Sequence, residues 1–587
     1  MGSRSGRLAG PGLPLLAAAA AVPLAFGPWC QDVYGIVRML AASWLLAAAA
    51  LVRAARPEAP GRADAPDGAA ALWPPLGVLA AAAILSAAVC EDPWMGWIGG
   101  HGFYGFSILG WSLCGLAFFL SGAVSSPEFS RRLARWVAAG SVPVSAYALF
   151  QWGWQDILTG FPVERPYSSL GGSLHLGSYL MLAAPLAWAS ATEAEAPAWG
   201  RAAGWTALVL GLPALAATGS RSSWLGALAG IGGCAWLRWG RSRLWKTGLV
   251  VLAAAALLVG LNKAFSELSP ARRFAEPAPA LDELHMESDV VRLEIWRCAA
   301  RAFLDHPWLG VGTNDFASAY RRYKRPVHAT SAEKDSSDAH NDWLQVMATL
   351  GLAGAAAYLW LHWQAVTMWL RLFREGRLDG PRAAMTGSLL GFLLQTKLNA
   401  MPWSSLFVVG LLAGCLFGRL GEGGALRPRR AAVRGAAAAA LVLAACCSWL
   451  AWADHLEIRG LLARGAGRPR EAAALLERAV RWNPWETAYR LNLDNLLWDA
   501  AASVPLEPRR ELLRRAVAVA ADGVRRRPSD ATAYYLLGQA ELRRCRWGGE
   551  GRLDAARLAL AAARALAPHS RMIREDLERV IALRRRP

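Results

Sequence analysis

The apolar residues of this chain are gathered into long blocks separated by short charged segments. The blocks approach the roughly 17–25 residues that cross a hydrocarbon core of ~30 Å. In lipid a spanning segment must satisfy its own backbone hydrogen bonds, so blocks of this kind read as helices. Spans are expected near Pro14–Phe26, Ile36–Val52, Leu72–Cys90, Phe106–Val124, Leu133–Trp152 and Leu176–Ser190. Seven more are expected near Trp205–Ala217, Ser223–Trp236, Gly248–Lys263, Trp343–Trp369, Ala384–Thr396, Ser405–Phe417 and Ala436–Trp452. The short first block also has the length of a signal-sequence core, and its removal would leave the rest of the orientation unchanged. The expected fold is all-α: a polytopic bundle of about 12–13 spans over residues 1–452, followed by a different helical domain over 453–587.

Charge supports that reading and sets its direction. Only 18% of residues are charged while 55% are hydrophobic, and the formal net charge is +19. The cations occupy alternate loops: Arg4 and Arg7; Arg53, Arg56 and Arg62; Arg131, Arg132 and Arg135; Arg238, Arg241, Arg243 and Lys246. The series continues at Arg371, Arg374, Arg377 and Arg382, then at Arg419, Arg427, Arg429, Arg430 and Arg434. Cytoplasmic loops carry such an excess, so the N-terminus is expected inside the cell. The long loop over about 264–341 and the domain after Ala453 are then external. No nucleic-acid motif accompanies the basic residues. The nine Cys have no paired spacing and read as small core residues, and many of the 29 Trp flank the blocks as an interfacial belt does.

After Leu456 the pattern becomes Ala/Leu/Arg-rich and amphipathic. Helix ends at Pro484, Pro528 and Pro568 look alike, and the first two are followed by aromatic helix starts (Trp485 and Tyr489; Tyr534 and Tyr535). This resembles tetratricopeptide repeats, with spacings longer than the usual ~34 residues and inserted turns such as Arg546-Trp-Gly-Gly-Glu-Gly551. Such a domain either caps the bundle or docks a protein or glycan partner.

Polar residues at membrane depth are costly and therefore candidates for function. Arg221, in Thr218-Gly-Ser220-Arg221-Ser222-Ser223, sits at an external boundary, where it either snorkels or uses its fork on phosphate oxygens. Arg292 and Trp296 share a face of an amphipathic helix that leads into Pro307-Trp-Leu-Gly310-Val-Gly312. His340, in Asp338-Ala-His340-Asn341, lies where the long loop enters a span; it is either a helix-entry residue or a general base near neutral pH. Arg165 belongs to an external segment that continues through His175. The acidic run from Asp282 to Asp289 reads as a solvated loop rather than a cation site. No P-loop and no nucleophile elbow are present. A positive, polar external face points to an anionic substrate reached from the membrane.

Ser220-Arg221-Ser222-Ser223, then Arg292-Leu-Glu-Ile-Trp296 with Pro307-Trp-Leu-Gly-Val-Gly312, then Ala339-His340-Asn341-Asp-Trp-Leu with Leu350-Gly-Leu-Ala-Gly354, resemble in order the O-antigen ligase and polymerase superfamily. The resemblance spans about residues 70–420. Leu170-Gly-Gly-Ser-Leu-His175-Leu-Gly-Ser resembles that family's Gly-rich segment, without its usual Asn residues.

The resemblance implies a metal-independent glycosyltransferase of the bacterial inner membrane that needs no cofactor. It would move a glycan from an undecaprenyl-diphosphate carrier to an acceptor hydroxyl on the periplasmic face, lipid A core or another. His340 would be the catalytic residue, and Arg221, Arg292 and Arg165 would hold the diphosphate. Ser220, Asn341 and Trp296 would support them. A polysaccharide polymerase or a protein O-oligosaccharyltransferase would use the same chemistry on another acceptor. A lipid-linked sugar transporter and a non-catalytic envelope scaffold are the readings from other classes. Partners are the lipid-linked donor, the acceptor, membrane lipids and a protein bound through the repeat-like domain, with no nucleic acid.

Overall fold

A computed structural model describes residues 12–55, 71–161, 163–240, 243–268, 281–325, 335–378, 380–399, 401–418, 430–551 and 553–584. All regular structure among them is helical. The first half comprises α1 (Gly12–Ala21), α2 (Gly35–Ala54), α3 (Trp73–Val89), a short α4 (Pro93–Trp97), α5 (Ile108–Ala123), α6 (Pro127–Gly153), α7 (Ser173–Thr192), α8 (Ala198–Ala217), α9 (Arg221–Trp239) and α10 (Leu244–Leu268). Then come α11 (Leu281–Asp305), α12 (Phe316–Tyr323), α13 (Asp342–Arg374), α14 (Gly380–Thr396), α15 (Trp403–Phe417) and α16 (Arg430–Gly465). Each of the thirteen apolar blocks falls on one of these helices. Five (α2, α6, α10, α13 and α16) are long and apolar enough, by length and composition, to cross a membrane. The first block is shorter than its sequence pattern: α1 gives way to a 3-10 turn at Val22–Leu24, where Pro23 can donate no backbone hydrogen bond.

Some cationic loop residues (Arg4, Arg7, Arg56, Arg62, Arg241, Arg419, Arg427 and Arg429) lie outside the described residues. So do the side chains of the acidic run from Asp282 to Asp289, which opens α11. All nine cysteines are free.

Small residues let the bundle helices close on each other. Gly226 and Gly230 of α9 face Gly391 and Gly387 of α14, and a Cβ at Gly387 would lie 2.3 Å from the Gly230 carbonyl oxygen. Close backbone approach of this kind is how helices pack where lipid offers no hydrophobic drive. Ser hydroxyls add cross-helix bonds: Ser388 to Leu182 O at 2.7 Å and Ser121 to Leu411 O at 2.7 Å.

The long loop before α13 is built on a break in that helix. Gly351 has φ 62° and ψ −156°, which kinks α13 and frees backbone groups on both sides. The Pro307–Gly312 turn segment takes them up: Val311 N donates to Ala348 O at 2.9 Å, Gly312 N to Thr349 O at 3.3 Å, and Leu352 N to Pro307 O at 2.7 Å. Ser86 Oγ of α3 adds a second bond to Thr349 O at 2.7 Å. The approach is so close that a Cβ at Gly310 would lie 2.2 Å from Thr349 C, and one at Gly351 would lie 2.4 Å from Trp308 C. Two glycine motifs far apart in sequence are therefore two sides of one backbone junction. It seats α11 and α12 against the start of α13, where Ile295, Cys298, Phe316 and Tyr320 bury a small core with Ala339 and Ala348.

α16 runs unbroken through residue 452. Its earlier half packs in the bundle core, to Ala451, and from Ala453 it packs into a second core with α17 (Pro469–Trp482) and α18 (Thr487–Ala502). α19 (Leu506–Arg526), α20 (Ala531–Gly548), α21 (Leu553–Leu566) and α22 (Arg571–Arg584) follow, each packed on its neighbours in sequence. Pro484, Pro528 and Pro568 fall in the tight turns between helices. These helices dock on the bundle loops around Asp32 and over Glu91–His101. Trp485 stacks on Trp94 with ring centroids 4.8 Å apart, and His455 Nδ1 lies 2.7 Å from Trp29 O.

Candidate functional site

The same end of the bundle gathers the polar residues at the starts of α7, α9 and α13. Ser220 is the N-cap residue of α9, and its hydroxyl lies 2.8 Å from that of Ser223. Arg221, the first residue of α9, is exposed. The exposed Arg165 reaches the same turn: a Cβ at Gly219 would sit 3.4 Å from Arg165 Nε. The loop carrying Arg165 is held by a buried set of polar groups. Asp156 Oδ1 accepts from Tyr147 OH at 2.6 Å and from Gln151 Nε2 at 2.8 Å, while Gln151 Oε1 accepts from Ser168 N at 2.5 Å. Ser169 Oγ then donates to Pro23 O at 2.7 Å, tying the loop to the 3-10 turn after α1.

His340 occupies the last residue before the cap of α13, with φ 48°. A left-handed backbone is uncommon outside glycine, although Asn, Asp and His tolerate it best. Such strain persists where surrounding contacts over-determine it. Here Asp338 Oδ1 accepts from His340 N at 2.8 Å and lies 3.4 Å from its Nδ1, while Gln345 Oε1 accepts from Ala339 N at 2.8 Å. The His340 side chain is 27% exposed. Asn341 caps α13, accepting from Leu344 N at 3.1 Å, and its Nδ2 donates to Lys397 O at 2.9 Å. His175, in the first turn of α7, is near enough to Asp338 and His340 to feel both; burial and then Arg38 lower its pKa, favouring the neutral ring.

The two halves are joined by residues that sequence reasoning passed over. Asn399 Nδ2 donates to Ser222 Oγ at 3.1 Å, and Lys397, two residues earlier, lies beside Asn341. Lys397 pairs with the buried Asp342, which also accepts from Tyr358 OH and Thr396 Oγ1 at 2.8 Å each. The signal was present: Gln395-Thr396-Lys397-Leu-Asn399 is a polar cluster ending an apolar block. Thus Arg165, Ser220, Arg221, His340 and Asn341 sit along one connected rim. Arg292 and Trp296 stand on α11, whose neighbouring residues Val291 and Ile295 pack into the core shared with Ala339. Both are half-buried, and the Trp296 indole N–H is buried without a hydrogen-bond partner.

This rim offers guanidinium groups facing water, an imidazole set against a carboxylate, and small hydroxyls between them. Residues 206–359 match the family model described as O-antigen ligase. The matched segment carries Ser220, Arg221, Arg292, Trp296, His340 and Asn341, whereas Arg165 and Lys397 lie outside it. It supports a relationship to the O-antigen ligase superfamily and hence a membrane glycosyltransferase type of activity. No curated protein matches the chain.

A second polar cluster lies where the C-terminal helices meet the bundle. Asp454 and Glu457 of α16 lie beside His101 of the loop before α5. Asp454-His-Leu-Glu457 is visible locally, but His101 is brought to it only by the tertiary fold.

Proposed function

We propose that the chain is a bacterial inner-membrane glycan transferase of the O-antigen ligase kind. It takes a glycan from an undecaprenyl-diphosphate carrier and joins it to an acceptor hydroxyl, of lipid A core in the ligase reading. The observation that carries this is the rim itself: Arg165 from a loop, Arg221 from the first turn of α9 and His340 from the entry to α13 lie at one polar end of an apolar bundle.

The acceptor oxygen attacks the anomeric carbon, the bond from that carbon to the diphosphate oxygen breaks, and the carrier leaves as its diphosphate. Arg221 and Arg165, with Arg292 from α11, hold the charge that grows on the leaving diphosphate, a task that guanidinium forks perform without a metal. His340 takes the acceptor's proton on Nε2, with Asp338 against Nδ1 orienting the ring and stabilising the imidazolium. Ser220, Asn341 and Trp296 shape the site around these groups. The rim faces the periplasm, the N-terminus lies in the cytoplasm, and the tetratricopeptide-like C-terminal helices stand outside the inner membrane, where they meet a protein or glycan partner. The alternating Arg-rich loops support this orientation. A reporter that works only in the cytoplasm, fused after the last residue, should stay silent.

The test is transfer by the purified protein from a defined lipid-linked donor. His340→Ala should lower the rate by roughly 100-fold or more with folding unchanged, the scale of general-base catalysis. Wild-type transfer by this variant would reduce His340 to a helix-entry residue and sink the mechanism.

A further inference from the structure

Asp454 and Glu457 stand one turn apart on α16, so both carboxylates leave the same face of the helix. His101 comes to that face from the loop between α4 and α5. Its Nδ1 lies 3.5 Å from Asp454 Oδ1 and 3.8 Å from Glu457 Oε2, and the three donor atoms are all within 4.8 Å of one another. Asp454 and Glu457 are wholly buried. Their outer oxygens are held: Asp454 Oδ2 accepts from Asp32 N at 2.8 Å, and Glu457 Oε1 accepts from Asn492 Nδ2 at 2.6 Å. The inner atoms are not. Glu457 Oε2 and His101 Nδ1 are buried with no hydrogen-bond partner, and Asp454 Oδ1 accepts only a long bond from Tyr489 OH, at 3.5 Å.

The two separations from His101 Nδ1 are too long for hydrogen bonds, which run at about 2.7–3.2 Å. They are close to the roughly 3.4 Å between ligand atoms that bonds of ~2.1 Å impose around a tetrahedral ion. The outer hydrogen bonds aim the inner oxygens, as supporting contacts do around metal ligands. Charge points the same way. Glu486, whose Oε2 accepts from His101 N at 3.0 Å, adds a further carboxylate beside the cluster, while Arg527 is engaged by Asp92 and Asp530. Burying several carboxylates around a single imidazole is costly without a cation.

We propose that His101, Asp454 and Glu457 bind one divalent transition-metal ion of the Zn²⁺ or Mn²⁺ kind. An imidazole with two carboxylates suits such an ion better than Mg²⁺ or Ca²⁺, which prefer all-oxygen sets. The ion clamps the C-terminal helices to the loop that carries His101. That loop also receives Asn314, whose Nδ2 donates to Met95 O at 3.0 Å and to Phe103 O at 2.7 Å. The clamp therefore braces the turn that seats α12. It acts on docking and not on the leaving diphosphate, so chelation lowers stability while protein still folded at the assay temperature continues to transfer.

The full chain, purified in detergent without a polyhistidine tag, should carry about one such ion by elemental analysis. After chelation its unfolding midpoint should fall, then recover with Zn²⁺ or Mn²⁺ but not with Mg²⁺ or Ca²⁺. His101→Ala and Glu457→Gln should lose both the ion and the recovery. Should either variant fail to fold, chelation and re-addition on the wild type decide alone. A wild-type chain that carries no ion and ignores all four cations would make the cluster a proton-sharing network and overturn the proposal. Recovery confined to Mg²⁺ and Ca²⁺, or equal recovery by the variants, would overturn it too.

Discussion

Arginine meets two opposite environments at the polar end of this bundle. At the junction with the C-terminal helices, the Arg527 side chain is 11% exposed and lies 2.5 Å from Asp92, itself 4% exposed, with Asp530 at 3.4 Å. Along the rim, Arg165 and Arg221 are exposed beside hydroxyls and backbone. A buried cation must be matched by anions, because removing it from water costs several kcal/mol. One region thus uses charge to hold two bodies together, and the other leaves its guanidinium groups exposed at the surface.

The rim's scaffold is the sharper dependency, because it rests on backbone that no side chain can imitate. Gly351→Ala places a Cβ into Trp308 and a non-glycine residue at a strained φ/ψ. The cost should be roughly 3 kcal/mol or more, since strain at such a position is worth 1–3 kcal/mol before any clash. The unfolding midpoint should fall and transfer should vanish with it. A variant of wild-type stability would mean that the α13 break is not the anchor of the loop.

The junction should respond almost as strongly, but to loss of charge. Arg527→Ala leaves Asp92 and Asp530 buried without their cation, a change worth about 3–5 kcal/mol when one partner of a buried pair is removed. Limited proteolysis should cut between the bundle and the C-terminal helices much faster than in the wild type. Unchanged protection would show that the stacking of Trp485 on Trp94 suffices to hold the junction.

The sequence pattern was informative where a property is local. Length and hydropathy located the thirteen helices. The i, i+4 spacing of Arg292 and Trp296 placed them on one helix, and Gly310 and Gly312 marked a turn. What pattern could not reveal was pairing across the chain: Gly351 against Trp308, Arg165 against Gly219, or His101 against α16. Each joins residues whose local sequence is unremarkable alone. The kink in α13 was hidden for a related reason. Leu350-Gly-Leu-Ala-Gly354 is apolar enough to read as unbroken helix, and only the Pro307–Gly312 segment lying alongside explains the break.

A smaller effect separates geometry from charge at the rim. Arg221→Ala should weaken transfer about 10-fold to 100-fold, since a hydrogen bond to a charged group is worth about 1.5–3 kcal/mol. Arg221→Lys should recover only part of that, because an ammonium lacks the planar fork. Steady-state kinetics with the lipid-linked donor would measure both. Full recovery by lysine would mean that the rim supplies charge without bidentate geometry, and the contrast with the junction would then be one of exposure alone.

The last effect, read in the pH dependence and not in transfer, lies between the two regions, at Asp315. This carboxyl precedes α12 and is 4% exposed. Burial raises its pKa to about 7, opposed by a hydrogen bond from Ser318, reinforced by Asp92 and opposed again by Arg321 and Arg527. An unfolded Asp titrates near ~3.9. Between those values the folded chain holds a proton that the unfolded chain has lost, so stability must fall as pH rises from about 4 through 7. Asp315→Asn keeps a neutral side chain of similar shape and should flatten that part of the pH dependence. Unfolding midpoints of the two proteins, measured side by side across this range, should converge at the acid end and separate toward neutral, with the variant the more stable. The opposite order would mean that Asp315 is held ionised by Arg321 and Arg527, making the α12 turn an extension of the paired junction.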